Sequence, residues 1–462
     1  MAFTLLKELK HLTEIKEVKT FKHGIHPNDY KHYTKDLPIE RMPFVDEYVL
    51  PLSQHAGAPS KPIVKPGDYV YRGQLIAEPA AFVSAALHAP VTGWVKAIEP
   101  REHPGGKISE AIVIERDPHS PQTLLNEHPI DWENLRPEEI LEIIRLGGFV
   151  GLGGAAFPTH VKYAVPEGKH AKYFFVNAAE CEPFLTTDYR IMLERYDSIF
   201  LGIRIILKLL GAEKAFIGTE TNKWDAIELL RSLKPDDIPV EIIPLETKYP
   251  QGAEKMLIEA VVHREVPSGR LPIDVEVVVN NVGTVAAIGD IFQYNQPLIE
   301  RVVTVTGPGI RRPANLLVPI GTPLTAIIDY CGGMTDNVRQ VLFGGPMMGI
   351  PQRTLDVPIL KGTSGVLFLT DYEVVPRQEY PCVHCMKCVD ACPMYLNPSL
   401  LGMLARVRRY EDMLEHHVMD CIECGSCSYV CPSNIPLVQR FRVAKTLLRE
   451  QMARERAKEK KA

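Results

Sequence analysis

No stretch of this 462-residue chain is apolar for long enough to cross a bilayer. The most apolar segment, residues 198–212, is about one helix long and is interrupted by Arg204 and Lys208, whereas a span needs about 20 apolar residues. The opening MAFTLLKELKHLTEIKEVKT carries charges every few residues and lacks the apolar core of about 7–15 residues that a secretory signal requires. A cytoplasmic chain without a signal peptide or transmembrane helix is expected. Neither sign of charge dominates: 52 Lys+Arg against 57 Asp+Glu leave −5, too mild for a surface that binds nucleic acid as a whole. Cysteine is almost missing from most of the chain, since only Cys181 and Cys331 lie outside residues 382–431. That excludes a disulfide-framed secreted fold. With 45% hydrophobic and 24% charged residues the composition is that of a soluble globular protein, and the length predicts about three domains.

What is present falls into modules. Residues 1–45 read as an extended lead-in containing Gly24-Ile25-His26-Pro27. From 46 to 130, short β-branched runs alternate with turn signals such as Pro66-Gly67-Asp68 and Val91-Thr92-Gly93, which predicts a compact antiparallel barrel or sandwich. Residues 131–300 change to an α/β pattern, with helices over 137–146 and 191–210 and strands near 173–176, 214–217, 240–243 and 275–279. A second β-rich module covers 301–355, opening on Thr304-Val305-Thr306-Gly307-Pro308-Gly309 and closing on Gly344-Gly345-Pro346-Met347-Met348-Gly349. A cysteine-rich domain spans 375–436. Residues 437–462 form a basic amphipathic helix, with nine Lys/Arg against three Glu from 440 onward. Such a helix either packs one face on its own protein or docks on an anionic membrane face or partner.

The cysteines carry the strongest signal. Cys382-x-x-Cys385-x-x-Cys388-x-x-x-Cys392-Pro393 recurs 39 residues later as Cys421-x-x-Cys424-x-x-Cys427-x-x-x-Cys431-Pro432. This is bacterial ferredoxin spacing, in which the fourth thiolate of each run, at the start of a helix, ligates the other cluster. Two [4Fe–4S] clusters are therefore expected, one on Cys382, Cys385, Cys388 and Cys431, the other on Cys421, Cys424, Cys427 and Cys392. Structural zinc is the competing reading, but a zinc ribbon uses two well-separated Cys-x-x-Cys pairs per ion. One amphipathic helix over 398–415 is expected between the motifs.

The run Gly147-Gly148-Phe149-Val150-Gly151-Leu152-Gly153-Gly154-Ala155-Ala156-Phe157 is a weak dinucleotide fingerprint, because it follows a helix instead of a strand and Pro158 interrupts the helix that should begin. Its physical content is that glycine amides can approach a phosphate or flat ring.

VKPGDYVYRGQLIAE followed by HAPVTGWV resembles the lipoyl/biotinyl barrel-sandwich family, whose carriers need a lysine at a hairpin tip. Residues 78–92 contain none, so a scaffold or docking role is expected in place of a swinging arm. GLGGAAFPTHVKY, VNAAECEP, KYPQGAEK and VVNNVGT resemble, in order, the flavin-binding subunit of respiratory complex I (the NuoF-like family). That resemblance implies an FMN site. Gly151, Gly153 and Gly154 would approach the flavin, Lys162 would supply positive charge, and Asn177, Glu180, Tyr249, Gly252, Glu254, Asn280, Asn281 and Thr284 would line the ring, ribityl and phosphate region. Phe157 would stack near the nicotinamide or adenine of NADH, Glu182 would lie near the nicotinamide pocket and Arg270 would contact a nucleotide phosphate. The chain departs from the complex I pattern at Leu152, Ala156, Ala179, Cys181 and Ala253, where that family carries Arg, Gly, Asp, Ser and Glu. The full order of lead-in, lysine-free barrel-sandwich, flavin domain, ligand-binding β-grasp (SLBB-like) module and twin ferredoxin motifs resembles the C subunits of the Rnf ion-translocating electron-transport complex.

The resemblance implies a multidomain α/β protein with small β modules. It implies electron exchange among NAD(H), FMN and two [4Fe–4S] clusters, without a catalytic general base. It further implies a ferredoxin-like partner in a membrane complex and a peripheral position on the cytoplasmic face of the inner membrane. A soluble cobalamin-reductase-like flavoprotein and a non-catalytic iron–sulfur scaffold are the alternatives.

Overall fold

The computed structural model describes residues 18–459. The first β module is a barrel-sandwich of two antiparallel sheets. One takes Glu47–Pro51, Lys107–Arg116, Gly93–His103 and Tyr69–Val70; the other takes Lys61–Pro62, Leu75–Glu78 and Leu87–His88. Ile112 and Ile114 alternate into its core with Leu50, Val70, Ile76, Leu87 and Val95, the period-two placement that β-branched runs favour.

The α/β domain holds four parallel strands in the order Val240–Leu245, Lys214–Glu220, Tyr173–Asn177, Val277–Asn281. Strand order reverses beside Tyr173–Asn177, so the crevice outside the carboxyl ends of Tyr173–Asn177 and Val277–Asn281 is a topological switch point. The helix expected over 191–210 is two helices, Thr187–Glu194 and Tyr196–Leu210, broken at Arg195 (φ −132°, ψ 29°). Arg195 leaves the helical path to pair with buried Asp290 at 2.6 Å. Helix Tyr196–Leu210 then lies against Val282–Tyr294 at close range: a Cβ on Gly202 would stand 2.1 Å from the Val285 carbonyl, and one on Gly289 would stand 2.2 Å from that of Ser198.

The second β module is a six-stranded mixed sheet around helix Leu324–Tyr330. It extends beyond 301–355. Gly365–Thr370 is an inner strand, parallel to Glu300–Thr306 and antiparallel to Val338–Phe343, and Ile39–Arg41 of the lead-in adds an edge strand beside Ala314–Pro319. Glycines and prolines between 344 and 363 hide this continuity from a local reading. The lead-in is a strap across the modules. It pairs Lys19 with Leu245 of the flavin sheet and Ile25 with Tyr249 just beyond that sheet, contacts the cysteine-rich domain where His23 Nδ1 meets the Asp390 carbonyl at 2.8 Å, and ends in the six-stranded sheet.

In the cysteine-rich domain the 39-residue repeat is structural. One-turn helices Lys387–Asp390 and Ser426–Tyr429 correspond, as do the left-handed residues His384 and Glu423, Met386 and Gly425, and Tyr395 and Asn434. The fourth cysteine of each motif follows the end of such a helix instead of opening one. Between the motifs stand two helices, Pro398–Arg406 and Tyr410–Glu415, because Arg408 takes φ +59° and ends the first. Leu437–Glu459 is helical and buries Leu437, Phe441, Ala444 and Leu448 in the core of this domain. Among the described residues no helix is long and apolar enough to cross a membrane.

Candidate flavin and cluster sites

The glycine loop closes on itself at the switch point. Val150 and Pro158 form an isolated bridge, the Gly151 amide donates to the Phe157 carbonyl at 2.9 Å and the Ala156 amide to the Gly151 carbonyl at 3.1 Å. Gly153 lies over the end of strand Val277–Asn281, where its Cβ would stand 3.4 Å from the Asn281 side chain. Gly154 takes φ +107° with open space where a Cβ would be, a conformation that favours glycine. Among the described residues the amides of Gly153, Gly154 and Ala155 have no protein partner, and all three residues are exposed. A loop of free amides beside a helix N-terminus, here Val282–Tyr294 capped by the Asn281 side chain on the Gly283 amide at 2.9 Å, suits an anionic group. The residues present therefore fit an FMN.

Around that loop the strand ends bring Asn177 beside Asn281 in register. The Asn177 amide donates to the Gly252 carbonyl at 2.7 Å and the Asn281 amide to Asp188 at 2.7 Å. Lys162 donates to Glu254 at 2.6 Å and to the Val279 carbonyl at 3.0 Å, and Phe157 closes the loop, half-buried. Other expected residues sit behind this surface. Thr284 is fully buried and accepts from the Leu152 amide at 2.9 Å, and Asn280 is bound to the Tyr163 hydroxyl in the interior. Glu180 accepts from the Asp188 amide at 2.6 Å, at the start of helix Thr187–Glu194. Glu182 accepts from the amides of Met347 and Met348 at 3.1 and 2.8 Å, which joins the flavin domain to the glycine-rich loop of the six-stranded sheet. Arg270 stands apart on an exposed turn whose Ser268 hydroxyl donates to Asp420 at 2.6 Å.

Burial shifts several of these groups. Desolvation pushes the Glu182 carboxyl up to about 7 despite its two amide donors and Lys31. Asp188 also rises to about 7, from burial and then from Glu180. Cys181, where complex I flavin subunits have serine, accepts from the Gly252 amide at 3.3 Å, and burial raises its thiol far above the ordinary range.

Several buried cations belong to none of the sequence motifs; one of them, Lys223, is 1% exposed and donates to the Ala179 carbonyl at 2.7 Å and to Glu220 at 3.1 Å. Lys31, on the strap, is 5% exposed and donates to the carbonyls of Glu180, Glu182 and Leu185. Arg301 and Lys361 are buried behind the glycine loop. The only sequence signal for Lys361 and Arg301 is a lone cation next to apolar residues, in VPILKG and ERVVTV.

The eight thiols form two groups of four. Cys382, Cys385, Cys388 and Cys431 line a cavity of about 50 Å³, and Cys392, Cys421, Cys424 and Cys427 line a second of about 20 Å³. None is in a disulfide. The amides of His384 and Glu423, each in left-handed geometry, donate to the sulfurs of Cys382 and Cys421 at 3.4 Å. Burial and then neighbouring thiols raise Cys427 far above the ordinary range; burial also raises Cys421, to about 11. Four crowded thiols sharing a pocket, with amides aimed at sulfur, fit a thiolate-held cluster.

The flavin and cysteine domains meet at Tyr249. The loop that lays Gly252 against Asn177 also buries Tyr249, whose hydroxyl donates to the Cys424 carbonyl at 2.7 Å. Ile25, Ala391, Cys181 and Met347 pack around that bond.

A flavin-type α/β crevice joined to a twin-motif cysteine domain, with two β modules bracing it, defines a multidomain flavin and iron–sulfur protein. Family models match segment by segment: the Nuo51 FMN-binding domain over 144–290, the RnfC barrel sandwich hybrid domain over 19–119, the SLBB domain over 302–351 and the 4Fe-4S dicluster domain over 381–435. The chain is 47% identical to the C subunit of the proton-translocating ferredoxin:NAD(+) oxidoreductase complex of Clostridium ljungdahlii, over 96% of each chain. It is 43% identical to the Na(+)-translocating counterpart of Acetobacterium woodii (92% of this chain, 96% of that one). It is 41% identical to the C subunit of the ion-translocating oxidoreductase complex of Rhodobacter capsulatus (93% and 83%). The chain belongs to this family of Rnf-type C subunits. Among solved structures, the NAD+-reducing [NiFe]-hydrogenase in its air-oxidized state aligns with 60% of this chain and 54% of that one at 20% identity and TM-score 0.47, too loose a likeness to bear on fold or function.

Proposed function

We propose that the chain exchanges electrons among NAD(H), an FMN in the glycine-loop crevice and two [4Fe–4S] clusters. It does so as a peripheral subunit, on the cytoplasmic face of the membrane, of a complex that couples electron transfer between NADH and ferredoxin to ion translocation. The observation that carries this reading is the Tyr249–Cys424 hydrogen bond, which leaves the crevice and the second thiol group in direct contact. FMN supplies hydride exchange with NAD(H) and one-electron exchange with the clusters.

The chain's own residues place the cofactors. The free amides of Gly153, Gly154 and Ala155, the N-terminus of helix Val282–Tyr294 and Lys162 receive the anionic end of the flavin. Asn177, Asn281 and the Gly252 loop provide hydrogen-bonding edges, Phe157 a flat face for the nicotinamide, and exposed Arg270 a contact for a nucleotide phosphate arriving from solvent. Cys382, Cys385, Cys388 and Cys431 hold one cluster; Cys421, Cys424, Cys427 and Cys392 hold the other. Tyr249 and its apolar neighbours keep water out of the gap between crevice and second cluster. The first group, with Cys385 and Val383 exposed, faces a ferredoxin-like partner.

Anaerobic purification of the full chain tests this. FMN released on denaturation, about eight iron atoms per chain and bleaching of both chromophores by NADH are expected. Iron without flavin would leave a cluster-bearing scaffold. Flavin and iron without co-purification with membranes would leave a soluble reductase.

A further inference from the structure

The carbonyls of residues 147–152, 156 and 157 in the glycine loop each accept a hydrogen bond, whereas among the described residues those of Gly153, Gly154 and Ala155 accept none. The carbonyl of Gly147 accepts from the Leu298 amide at 3.0 Å, and that of Ala156 from the Ala56 amide of the barrel-sandwich at 3.2 Å. The carbonyl of Gly148 accepts from Lys361 Nζ at 2.7 Å, and the carbonyl of Leu152 from Arg301 at 3.1 Å. The two cations are linked, because the second arm of the Arg301 guanidinium donates to the Lys361 carbonyl at 2.5 Å. Lys361 Nζ also donates to the Ala86 carbonyl at 2.6 Å, in the stretch of the barrel-sandwich where carrier relatives would hold their lysine.

Both side chains are more than nine-tenths buried, at 4% exposure for Arg301 and 1% for Lys361. Neither has a carboxylate in hydrogen-bond contact among the described residues. The acid that Arg301 senses is Asp188, whose own carboxyl is pushed up to about 7. Arg301 therefore places positive charge behind the loop without a hydrogen-bonded anion, while burial lowers the Lys361 ammonium to about 7, so that Lys361 acts on its carbonyls as a hydrogen-bond donor. A trans peptide is planar, with its C=O and N–H on opposite sides. Holding the Leu152 carbonyl inward points the Gly153 amide outward, into the crevice.

We infer that Arg301 and Lys361 are positioning residues for the flavin site. By capturing the Leu152 carbonyl, Arg301 turns the Gly153 amide toward an anionic group, the flavin phosphate, while Lys361 holds the Gly148 carbonyl at the root of the loop and, through its own carbonyl, keeps Arg301 in place. The inference rests on the flavin reading above. It gives the two β modules a part in cofactor binding: they brace the loop from behind.

The test compares FMN with riboflavin, which lacks the phosphate. Full chain with clusters intact and flavin removed is titrated with each, following quenching of flavin fluorescence. Wild type is expected to prefer FMN. Arg301→Met and Lys361→Met, which leave a buried carbonyl without its donor, are expected to weaken FMN binding by about tenfold or more and riboflavin binding by much less, so that the preference collapses while iron content stays at the wild-type level. An unchanged FMN-to-riboflavin ratio, or equal loss of both flavins, overturns the proposal. Should the methionine variants not fold, Arg301→Lys keeps the charge but loses the planar fork that reaches the Leu152 and Lys361 carbonyls from separate nitrogens; an intermediate ratio supports the proposal and an unchanged one overturns it. A wild type that binds neither flavin overturns the flavin reading itself, an outcome distinct from either.

Discussion

The hydroxyl of Tyr249 donates a 2.7 Å hydrogen bond to the backbone carbonyl of Cys424, so one side chain spans the boundary between the flavin crevice and the second thiol group. Tyr249 is 1% exposed, which keeps the bond out of solvent. Tyr249→Phe removes the bond and keeps the ring. The expected stability cost is about 1 kcal/mol. Flavin bleaching by NADH should keep its wild-type rate while cluster bleaching slows several-fold, which stopped-flow absorbance at two wavelengths resolves. Equal rates in both phases would remove Tyr249 from the route.

Cys392 stands in the first sequence motif but lines the cavity of the second thiol group. Cys392→Ser should therefore damage the cluster on Cys421, Cys424 and Cys427 and spare the one on Cys382, Cys385 and Cys388. Iron analysis and EPR of the reduced protein check this, and loss confined to the first motif's cluster would refute the crossed grouping.

Glu182 ties the flavin domain to residues 347 and 348, and burial holds its carboxyl at about 7 against an ordinary 4.5. Between those values the folded state binds a proton that the unfolded chain has lost, so its contribution to stability is full below pH 4.5 and is lost as pH rises through 7. The loss is on the order of 3 kcal/mol. Guanidinium unfolding of the anaerobic protein at about pH 5 and about pH 7.5 should show a smaller pH dependence in Glu182→Gln than in wild type. The same slope in both would mean that Glu182 is ionised in the fold.

Gly154 takes φ +107° with nothing within 4 Å of the Cβ position. Gly154→Ala thus meets no steric obstacle and suffers only backbone strain, about 1–3 kcal/mol. Relief of that strain would rotate the amides of residues 154 and 155. Flavin retention through gel filtration should fall while iron content is unchanged; full retention would place the flavin elsewhere.

Much of this architecture was legible because its signals are local. Cysteine spacing within 11 residues sets which thiols share a turn, and a repeat of 39 residues brings the same backbone geometry back at His384 and Glu423. Helix Pro137–Leu146 follows from its apolar period and its proline start, and the parallel strands follow from β-branched runs between helices. The break at Arg195 was illegible, since it depends on a partner, Asp290, 95 residues away. Strand Gly365–Thr370 escapes a local reading for a related reason: it is defined by neighbours at 304–306 and 338–343, and no pattern within it names them.

The sequence by itself determined the chemistry available: eight thiols in two spaced runs, a glycine loop free to expose amides, and asparagines at the ends of two strands. Only the tertiary structure decided how those parts are held. Lys31 reaches the carbonyls of residues 180–185, Arg301 reaches Leu152, and Lys361 reaches both Ala86 and Gly148. A backbone carbonyl is the same at every position of the chain, so nothing in the sequence marks which one a buried cation will find. That choice is made by packing, which decides which carbonyls come within reach of a desolvated charge.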